Sequence, residues 1–283
     1  MTLPAGIPLR EDAEEHFGSD LCREMISFDE AFGVRYGSIL RRCAVRWGRL
    51  AMSQWSRRWE YAFAAGRIAA FAAGRGGERL RILDAGSGVT SFPHYLCERL
   101  GGAEVVCCDS NAAYGRAFGR LAEAGADPSV TFVPAGLEAM PLETGSVDGI
   151  CCVSVLEHTP GRSGILEEFR RVLRPGGLLV LTFDVSLDGR AQIPVPAAGE
   201  LLAAVAERFD VPADFDALGE LAKADDPSRI LTTDAVRQTD PSLLPWRWPV
   251  LKSTYDWLRG RGWTGGFFSL TVYCLDARAT PPS

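Results

Sequence analysis

The sequence predicts an α/β protein built on a doubly wound parallel sheet. From Leu80 to Asp184, short apolar runs typical of buried strands alternate with segments whose apolar residues recur at helical spacing. Gly86 and Gly88 follow the first of these runs, where a strand turns into a helix. Because strands and helices that alternate in this order need right-handed crossovers, we expect a parallel sheet with helices on both faces.

The N-terminal part, residues 1–78, is expected to be helical and to form a cap or lid on a core at residues 79–283. Apolar residues recur at helical spacing from Leu40 to Trp55, and a second helical run reads WSRRWEYAFAAGRIAAFAA. The sequence GRGGE at 74–78 ends this pattern, because glycine disfavours a continued helix.

The core elements follow in order. The predicted strands are LRILDAG, AEVVCCD, VTFVPAG, VDGICCVSVLEH, which leads into a turn, and GGLLVLTFDV. The predicted helices between them are SFPHYLCERL, NAAYGRAFGRLAEAG and GRSGILEEFRRVL. After Asp184, a helical elaboration at about 195–262 contains PAAGELLAAVAERF and PVLKSTYDWLRGRG. The final GGFFSLTVYCLDARA is predicted to be a long strand.

Composition and charge narrow the class of protein. With 283 residues, 47% of them hydrophobic and 23% charged, the chain is typical of a globular protein. The first residues lack a signal-like pattern, and no window resembles a membrane span, so we expect a cytoplasmic protein without a membrane partner. A net charge of −6 argues against a nucleic-acid partner. Oligomeric state is not predicted.

One segment departs from the acidic balance. Residues 31–59 contain no acidic side chain, and the arginines there are Arg35, Arg41, Arg42, Arg46, Arg49, Arg57 and Arg58. Two interpretations stay open. The arginines form either a helix face that is solvated or docked on an acidic surface, or a patch that meets an anionic ligand.

Cysteines and histidines give no sign of a metal site. The eight cysteines include the adjacent pairs Cys107–Cys108 and Cys151–Cys152 inside apolar runs, and no C-x-x-C spacing occurs. We interpret them as reduced core residues. Only three histidines are present, so we expect no metal.

The glycine loop decides between two ligand classes, dinucleotides and S-adenosylmethionine. In a doubly wound sheet, glycines in the first strand-to-helix turn let the backbone approach a ligand. A dinucleotide fingerprint has a third glycine where this chain has Ser91. Asp84 also brings a carboxylate close to the place where a pyrophosphate would lie, which disfavours a nicotinamide-dependent oxidoreductase. A ligand with an ammonium and a sulfonium is favoured instead.

The second strand ends in Asp109, 21 residues after Gly88, and a carboxylate there fits both hydroxyls of a ribose. This holds for either ligand class. A structural role, as the N-cap of the next helix, is equally compatible with the sequence.

Four motifs in this order resemble the class I S-adenosylmethionine-dependent methyltransferases, in their type 11 small-molecule branch. The motifs are LDAGSG at 83–88, VVCCD at 105–109, GLEAMPLETGSVDGICCVSVLEH at 136–158 and RVLRPGGLLVLTF at 171–183. Together they span about residues 80–184. The resemblance implies a Rossmann-like sheet with an antiparallel final strand, S-adenosyl-L-methionine as cofactor and a small-molecule substrate as partner.

The resemblance also implies roles for individual residues. The methionine part of the cofactor would border Asp84, Gly86, Ser87 and Gly88. The ribose would lie at Asp109 with Ser110 beside it, the adenine edge at Leu137 and Glu138, and the sulfonium above Val153 and Ser154. The RPGG turn at 174–177 would be structural.

One position departs from the family pattern. Relatives commonly carry an acidic residue that accepts a hydrogen bond from the adenine amino group, where this chain has Gly136. Adenine recognition must then depend on backbone groups, on Glu138 or on an acid from elsewhere. This departure motivates an alternative function, a cofactor-binding scaffold or partner subunit that transfers no methyl group.

Methyl transfer from a sulfonium is an in-line displacement, so orientation of the acceptor is the main requirement. A hydroxyl or ammonium acceptor also benefits from a general base, for which His158 is the candidate because it follows the fourth strand. Its neighbour Glu157 either positions it or takes the role of a metal ligand, as in some relatives.

Arg58 and Tyr61 precede the core as lid residues do in relatives, and the arginine would pair with the methionine carboxylate. The alternative is that they belong to a helix face packed on the domain. We expect His94 to pack or cap. The methylated atom, O, N or C, is not predicted.

The late aromatic residues have two interpretations. They either wall a substrate pocket or bury the late helix against the sheet. They are Trp246, Trp248, Tyr255, Trp257 and Trp263, around Arg247.

Overall fold

A single sheet organises the molecule. The computed structural model of the chain describes residues 2–43, 51–244, 254–255, 257–260 and 268–280. Within these ranges the strand order is β3-β2-β1-β4-β5-β8-β7, and β6 pairs with β5. The strands are β1 (Arg81–Ala85), β2 (Glu104–Asp109), β3 (Val130–Pro134), β4 (Val147–Val153), β5 (Leu173–Ser186), β6 (Ile193–Pro194), β7 (Phe209–Asp210) and β8 (Leu270–Ala279).

Strand direction confirms the predicted sheet. The pairs β3–β2, β2–β1, β1–β4 and β4–β5 are parallel. Strand β8 runs antiparallel to β5, from the pair Leu178 and Arg278 to the pair Ser186 and Leu270. Because the chain winds outward in both directions from β1 and β4, the switch point lies between the carboxyl ends of these two strands. Ligands of open α/β sheets bind at such a point.

Helices cover both faces of the sheet, as predicted. They are α1 (Arg10–Phe17), α2 (Asp20–Arg42), α3 (Trp55–Ala73), α4 (Phe92–Arg99), α5 (Tyr114–Glu123), α6 (Arg162–Val172), α7 (Val195–Ala206), α8 (Ala217–Ala222) and α9 (Thr233–Thr239). Side chains alternate along the strands, so that Ile82 packs with α2–α5 and Leu83 packs with α6 and α7. The apolar run of each strand therefore serves two cores.

The N-terminal helices differ in one respect from the sequence prediction. Helix α2 ends at Arg42, and the chain then makes a 3₁₀ turn at Ala51–Ser53 before α3 begins at Trp55. Gln54 between them has extended backbone, with φ −102° and ψ 134°. The helical periodicity from Leu40 to Trp55 is therefore interrupted before Trp55, and residues 44–50 of that run lie outside the described residues.

The segment ahead of α3 packs on the sheet. Gly6 forms a two-way backbone bridge with Cys274 of β8, with N···O distances of 2.7 and 3.0 Å. Trp59 and Phe63 of α3 are buried in the same core as Ile82. The division into a cap at 1–78 and a core at 79–283 stays a prediction. Within the described residues, no helix has the length and apolarity needed to cross a bilayer.

The late region is described in part. Helix α7 matches the predicted PAAGELLAAVAERF segment, and of PVLKSTYDWLRGRG the structure describes residues 254–255 and 257–260. Tyr255 and Trp257 are more than half exposed, at 51% and 58%. Arg247 and the three tryptophans Trp246, Trp248 and Trp263 lie outside the described residues. The RPGG sequence belongs to β5, at an irregularity in its pairing with β4.

Candidate functional site

A cavity of about 590 Å³ opens at the carboxyl ends of β1 and β4. Most of its wall comes from the start of α3 with the turn before it, the glycine loop after β1, and the ends of β4 and β5. Tyr114, Gln192, Thr233 and Leu270 complete it. The lining residues are Ala51, Gln54, Trp55, Ser56, Arg57, Tyr61, Gly86, Ser87, Gly88, Thr90, Tyr114, Val153, Ser154, His158, Asp184, Gln192, Thr233 and Leu270. This is the switch point at which the topology predicts a ligand.

The glycine loop is held close to the next strand. The N–H groups of Gly86 and Ser87 both donate to the Cys108 carbonyl, with N···O distances of 2.7 and 3.1 Å. Gly86 has φ +73° and Gly88 has φ +55°, in the left-handed region that favours glycine. A Cβ at Gly86 would also lie 2.6 Å from Cγ1 of Val155. The loop backbone therefore faces the cavity without a side chain at Gly86.

Asp109 lies beside this loop at the end of β2. Its Oδ2 accepts a hydrogen bond from the Gly88 N–H at 3.1 Å, and its Oδ1 accepts one from the Asn111 N–H at 2.8 Å. Helix α5 begins only at Tyr114, with Ala113 at its N-cap, so Asp109 caps a turn and is not the helix N-cap. Ser110 is exposed next to it. The carboxylate thus joins the end of β2 to the glycine loop.

Asp84 is buried beneath the loop and is not among the cavity-lining residues. The Cys151 thiol contacts its Oδ1 at 3.7 Å. Burial raises the pKa of Asp84 to about 7, because water no longer stabilises the charged form. Near neutral pH this carboxyl therefore exchanges between its charged and neutral forms.

On the α3 wall, the structure brings Arg57, not Arg58, to the cavity. The Arg58 guanidinium donates from Nε to the Met52 carbonyl at 2.9 Å and lies over the Phe17 ring. Arg57 and Tyr61 both line the cavity, one helical turn apart. The i,i+4 spacing to Tyr61 was the sequence signal that could have singled out Arg57.

Glu60 is a second residue that the sequence analysis missed. It is fully buried, and its Oε1 accepts hydrogen bonds from the hydroxyl groups of Ser154 and Thr182, both at 2.6 Å. Arg57 Nη1 donates to Glu60 Oε2 at 2.5 Å and to Ser154 Oγ at 2.6 Å. Ser154 itself has φ +50°. This network fixes the guanidinium and the end of β4 against each other, so Arg57 is held in place before any ligand binds.

The predicted adenine edge lies apart from the cavity wall. Leu137 is buried and Glu138 is exposed, and neither lines the cavity. A Cβ at Gly136 would lie 2.9 Å from Glu138 Oε2. The Glu138 carboxylate therefore occupies the space beside Gly136, the position where relatives carry the acid.

His158 lines the cavity and is exposed. Partial burial and the nearby Arg57 charge lower its pKa, so the imidazole is neutral at pH 7 and is able to accept a proton. The other two histidines lie elsewhere. The His94 ring packs on Phe32 with centroids 5.0 Å apart, and His16 Nε2 lies 3.0 Å from the Arg58 carbonyl oxygen.

Next to His158, the acidic residues Glu157 and Asp184 are neighbours. Glu157 Oε1 accepts the Asp184 backbone N–H at 3.2 Å, and Asp184 lines the cavity. Burial raises the pKa of Asp184 to about 7, and burial together with the Asp184 charge raises the pKa of Glu157 well above its ordinary value. Across the described ranges, no group of three His, Cys, Asp or Glu side chains is arranged to hold a metal ion.

The arginine-rich window does not form one patch in its described part. Arg41 and Arg42 are exposed at the end of α2, and Arg35 donates to the Gly125 carbonyl at 3.4 Å. Arg46 and Arg49 lie outside the described residues. Only Arg57, of the five described arginines, lines the cavity.

Comparison with known proteins finds sequence similarity to methyltransferases. The family model described as "Methyltransferase domain" (Methyltransf_11) matches residues 83–181. The chain is 26% identical over 177 residues to a sterol 24-C-methyltransferase of Gibberella zeae, covering 60% of this chain and 45% of that protein. It is 27% identical over 167 residues to the methyltransferase GfsG of Streptomyces halstedii, covering 58% of this chain and 60% of that one. The match thus spans about half the length of these relatives.

Solved structures give more distant likenesses. Geranyl diphosphate C-methyltransferase from Streptomyces coelicolor A3(2) superposes with a TM-score of 0.48 at 17% identity, covering 76% of this chain and 77% of that chain. The [4+2]-cyclase SpnF superposes with a TM-score of 0.46 at 18% identity, covering 76% and 82%. The fold assignment rests on the strand order described above. In sequence, residues 83–181 of this chain are similar to the methyltransferase domain of the type 11 family.

Proposed function

We propose that this chain binds S-adenosyl-L-methionine and transfers its methyl group to a small-molecule acceptor. The observation that carries the proposal is the cavity at the switch point, whose floor is the glycine loop of the matched family segment. A volume of about 590 Å³ is within the range of small-molecule sites.

The residues of the cavity fit this cofactor. The backbone of Gly86, Ser87 and Gly88 lines the cavity and would border the methionine part, and the Arg57 guanidinium, already held by Glu60, lines the same cavity and would pair with the methionine carboxylate. Asp109 does not line the cavity itself but accepts a hydrogen bond from Gly88, which does. Each oxygen of its carboxylate makes one backbone hydrogen bond and keeps a lone pair for a ribose hydroxyl. The roles of Asp109 and Ser110, and of Val153 and Ser154 below the sulfonium, stay predictions.

Adenine recognition is proposed to depend on Glu138. Its carboxylate lies beside Gly136, so it offers an acceptor for the adenine amino group close to the place where relatives carry an acid. Leu137 is buried next to it and would pack along the ring.

When bound, the cofactor supplies an electrophilic methyl group, and the chain's own residues hold the acceptor in line behind it. The cavity wall contains the aromatic side chains Trp55, Tyr61 and Tyr114, which exclude water from the acceptor. His158 stays a predicted general base. A small acceptor is supported by the sterol 24-C-methyltransferase among the relatives. All eight cysteines are free thiols, which favours the reducing cytoplasm as the place of action.

The test is calorimetric titration of the purified chain with S-adenosylhomocysteine, with Asp109→Ala as the site variant. We expect one molecule bound per chain, and a dissociation constant at least about tenfold higher in Asp109→Ala, because hydrogen bonds to a charged group contribute about 1.5 kcal/mol or more. The matched control is Asp127→Ala. Asp127 also caps a turn, through the Ser129 N–H at 2.8 Å, but it precedes β3 and so lies at the amino ends of the strands, away from the cavity.

Well-folded protein that does not bind S-adenosylhomocysteine would refute the proposal. Equal weakening in the two variants would refute the role of Asp109 alone. Binding without release of S-adenosylhomocysteine from S-adenosylmethionine, over a broad acceptor screen, would favour a cofactor-binding scaffold.

A further inference from the structure

Two neighbouring carboxyl groups near the cavity each have one oxygen without a hydrogen-bond donor. Glu157 is 8% exposed, and the described residues offer no donor to its Oε2 or to Asp184 Oδ1, although both atoms are buried. The other oxygen of Glu157 accepts the Asp184 backbone N–H at 3.2 Å, which fixes the Glu157 carboxyl against the backbone of Asp184. A buried acceptor oxygen without a donor is unfavourable when the carboxyl is charged, so burial favours the protonated form of each group.

The groups around Glu157 and Asp184 explain why these two carboxyl groups retain a proton more readily than solvated carboxyl groups do. The charged and titratable groups that face the pair are Glu60 and Arg57 on α3 and His158 on the turn after β4. The Glu60 charge raises the pKa of Asp184 and the Arg57 charge lowers it. Burial has a larger effect than either charge and brings the pKa of Asp184 to about 7. The pair is therefore able to exchange a proton near neutral pH, which a solvated carboxylate does not do.

Asp184 is the member of the pair that reaches the cavity, where His158 and Ser154 also line the wall. We propose that Asp184, positioned by Glu157, accepts the proton of an acceptor hydroxyl group during methyl transfer. This inference rests on the proposed function and names the acceptor class for that site. It assigns the proton to Asp184 in place of His158.

The step balances as an in-line displacement. A lone pair of the acceptor oxygen forms the new O–CH₃ bond, the S–CH₃ bond breaks, and its electron pair stays on sulfur, which changes from a sulfonium to a neutral thioether. The hydroxyl proton passes to the Asp184 carboxylate. The neutral carboxyl is then the form of Asp184 that burial favours, and the proton is released to solvent before the next cycle.

The position of the base favours one class of acceptor. A neutral amine attacks through its free lone pair and needs no base in that step, whereas a hydroxyl group becomes more reactive when a carboxylate accepts its proton. A carboxyl at the cavity wall, such as Asp184, therefore favours oxygen as the methylated atom.

The first measurement is the infrared spectrum of the S-adenosylhomocysteine complex between pH 5 and 9, for wild type, Asp184→Asn and Glu157→Gln. Asp84, whose pKa is also raised to about 7, contributes a protonated-carboxyl C=O band to all three proteins. The band of Asp184 is therefore identified by difference: wild type should show a further band that disappears around neutral pH, and each variant should lose or shift that band. The control Asp210→Asn removes an exposed carboxylate on β7 and should leave the band unchanged. Calorimetry on the same samples shows whether each protein binds S-adenosylhomocysteine, so a failure of the proposed function is recognised separately.

The second measurement is the release of S-adenosylhomocysteine from S-adenosylmethionine with a panel of phenols and alcohols and the matching amines. Hydroxyl compounds should be turned over, with kcat lower by about 10²- to 10⁴-fold in Asp184→Asn and a smaller loss in Glu157→Gln. The acid limb of the wild-type pH profile should disappear in Asp184→Asn and persist in His158→Asn.

Several results would overturn the proposal. These are a difference spectrum between wild type and Asp184→Asn that shows no carboxyl band lost, a pH limb that disappears only in His158→Asn, and turnover of amines but not of hydroxyl compounds. Protein that binds S-adenosylhomocysteine but turns over no hydroxyl compound of the panel would also reject the assigned acceptor class.

Discussion

Gly86 is the position where the glycine loop tolerates a side chain least. Its φ of +73° is strained for any L-residue with a Cβ, and that Cβ would lie 2.6 Å from Cγ1 and 3.1 Å from Cβ of Val155. Gly88 is a matched control, since its φ of +55° is also left-handed but a Cβ added there would have no atom within 4 Å. Gly86→Ala adds both strain and a clash, and Gly88→Ala adds strain alone.

The magnitudes separate the two variants. A left-handed backbone costs an alanine about 1–2 kcal/mol, and both variants share this loss. Overpacking at Val155 adds about 1–3 kcal/mol at Gly86 only. The reduced entropy of the unfolded chain returns about 0.4–1 kcal/mol to each variant. We therefore expect the free energy of unfolding to fall by about 2–4 kcal/mol in Gly86→Ala and by about 1 kcal/mol in Gly88→Ala.

The assay is urea unfolding of both variants, of Val155→Ala and of the double variant Gly86→Ala/Val155→Ala. Because the smaller side chain removes the clash, the double variant should be more stable than the sum of the single effects by about 1–3 kcal/mol. Equal losses at Gly86 and Gly88, or additive behaviour in the double variant, would show that the contact with Val155 does not govern the loop.

Two further predictions concern buried carboxyl groups. Asp29 is 2% exposed and accepts hydrogen bonds from the Met52 N–H at 2.9 Å and the Ser91 hydroxyl at 2.5 Å. Asp29→Ala leaves both donors unpaired and should lower the free energy of unfolding, measured in urea, by about 2–5 kcal/mol. Asp29→Asn should show a smaller loss. A loss in Asp29→Ala no larger than that caused by replacing an exposed Asp would contradict this prediction. Burial raises the folded-state pKa of Asp84 to about 7, above its unfolded value of 3.8, so its protonated form stabilises the fold and stability falls as pH rises between these values. Asp84→Asn should therefore become more stable relative to wild type between pH 5 and pH 8, by about 3 kcal/mol, and a difference independent of pH would refute the assignment.

The doubly wound sheet was predictable because its information is local. Each strand from Leu80 to Asp184 is a short apolar run, each intervening helix has its own periodicity, and the handedness of the crossovers leaves few arrangements. Gly86, Gly88 and Asp109 were recognisable for the same reason, since a turn that needs glycine and a strand that ends in an acid are visible in neighbouring residues. The structure confirms the sheet and the antiparallel final strand.

The α3 wall was decided by packing. Arg57 and Arg58 are adjacent and chemically identical, and only the rotation of the helix directs Arg57 to the cavity while Arg58 bonds to the Met52 carbonyl. Periodicity could have suggested this choice through Tyr61. The burial of Glu60 between Arg57, Ser154 and Thr182 depends on strands that are distant in sequence, so no local pattern indicates it.

The sequence by itself thus determined the order of the elements, the parallel sheet and the place of the glycine loop, because these follow from short-range periodicity and backbone preference. Only the tertiary structure decided which charged groups share one environment. Glu157 and Asp184 are 27 residues apart and come together because β4 and β5 are neighbours in the sheet, so the Glu157 carboxylate accepts the Asp184 backbone N–H where both strands end. The protonation of Glu157 and Asp184 depends on their burial in one place. That burial arises from the pairing of β4 with β5, so neither sequence segment indicates it alone.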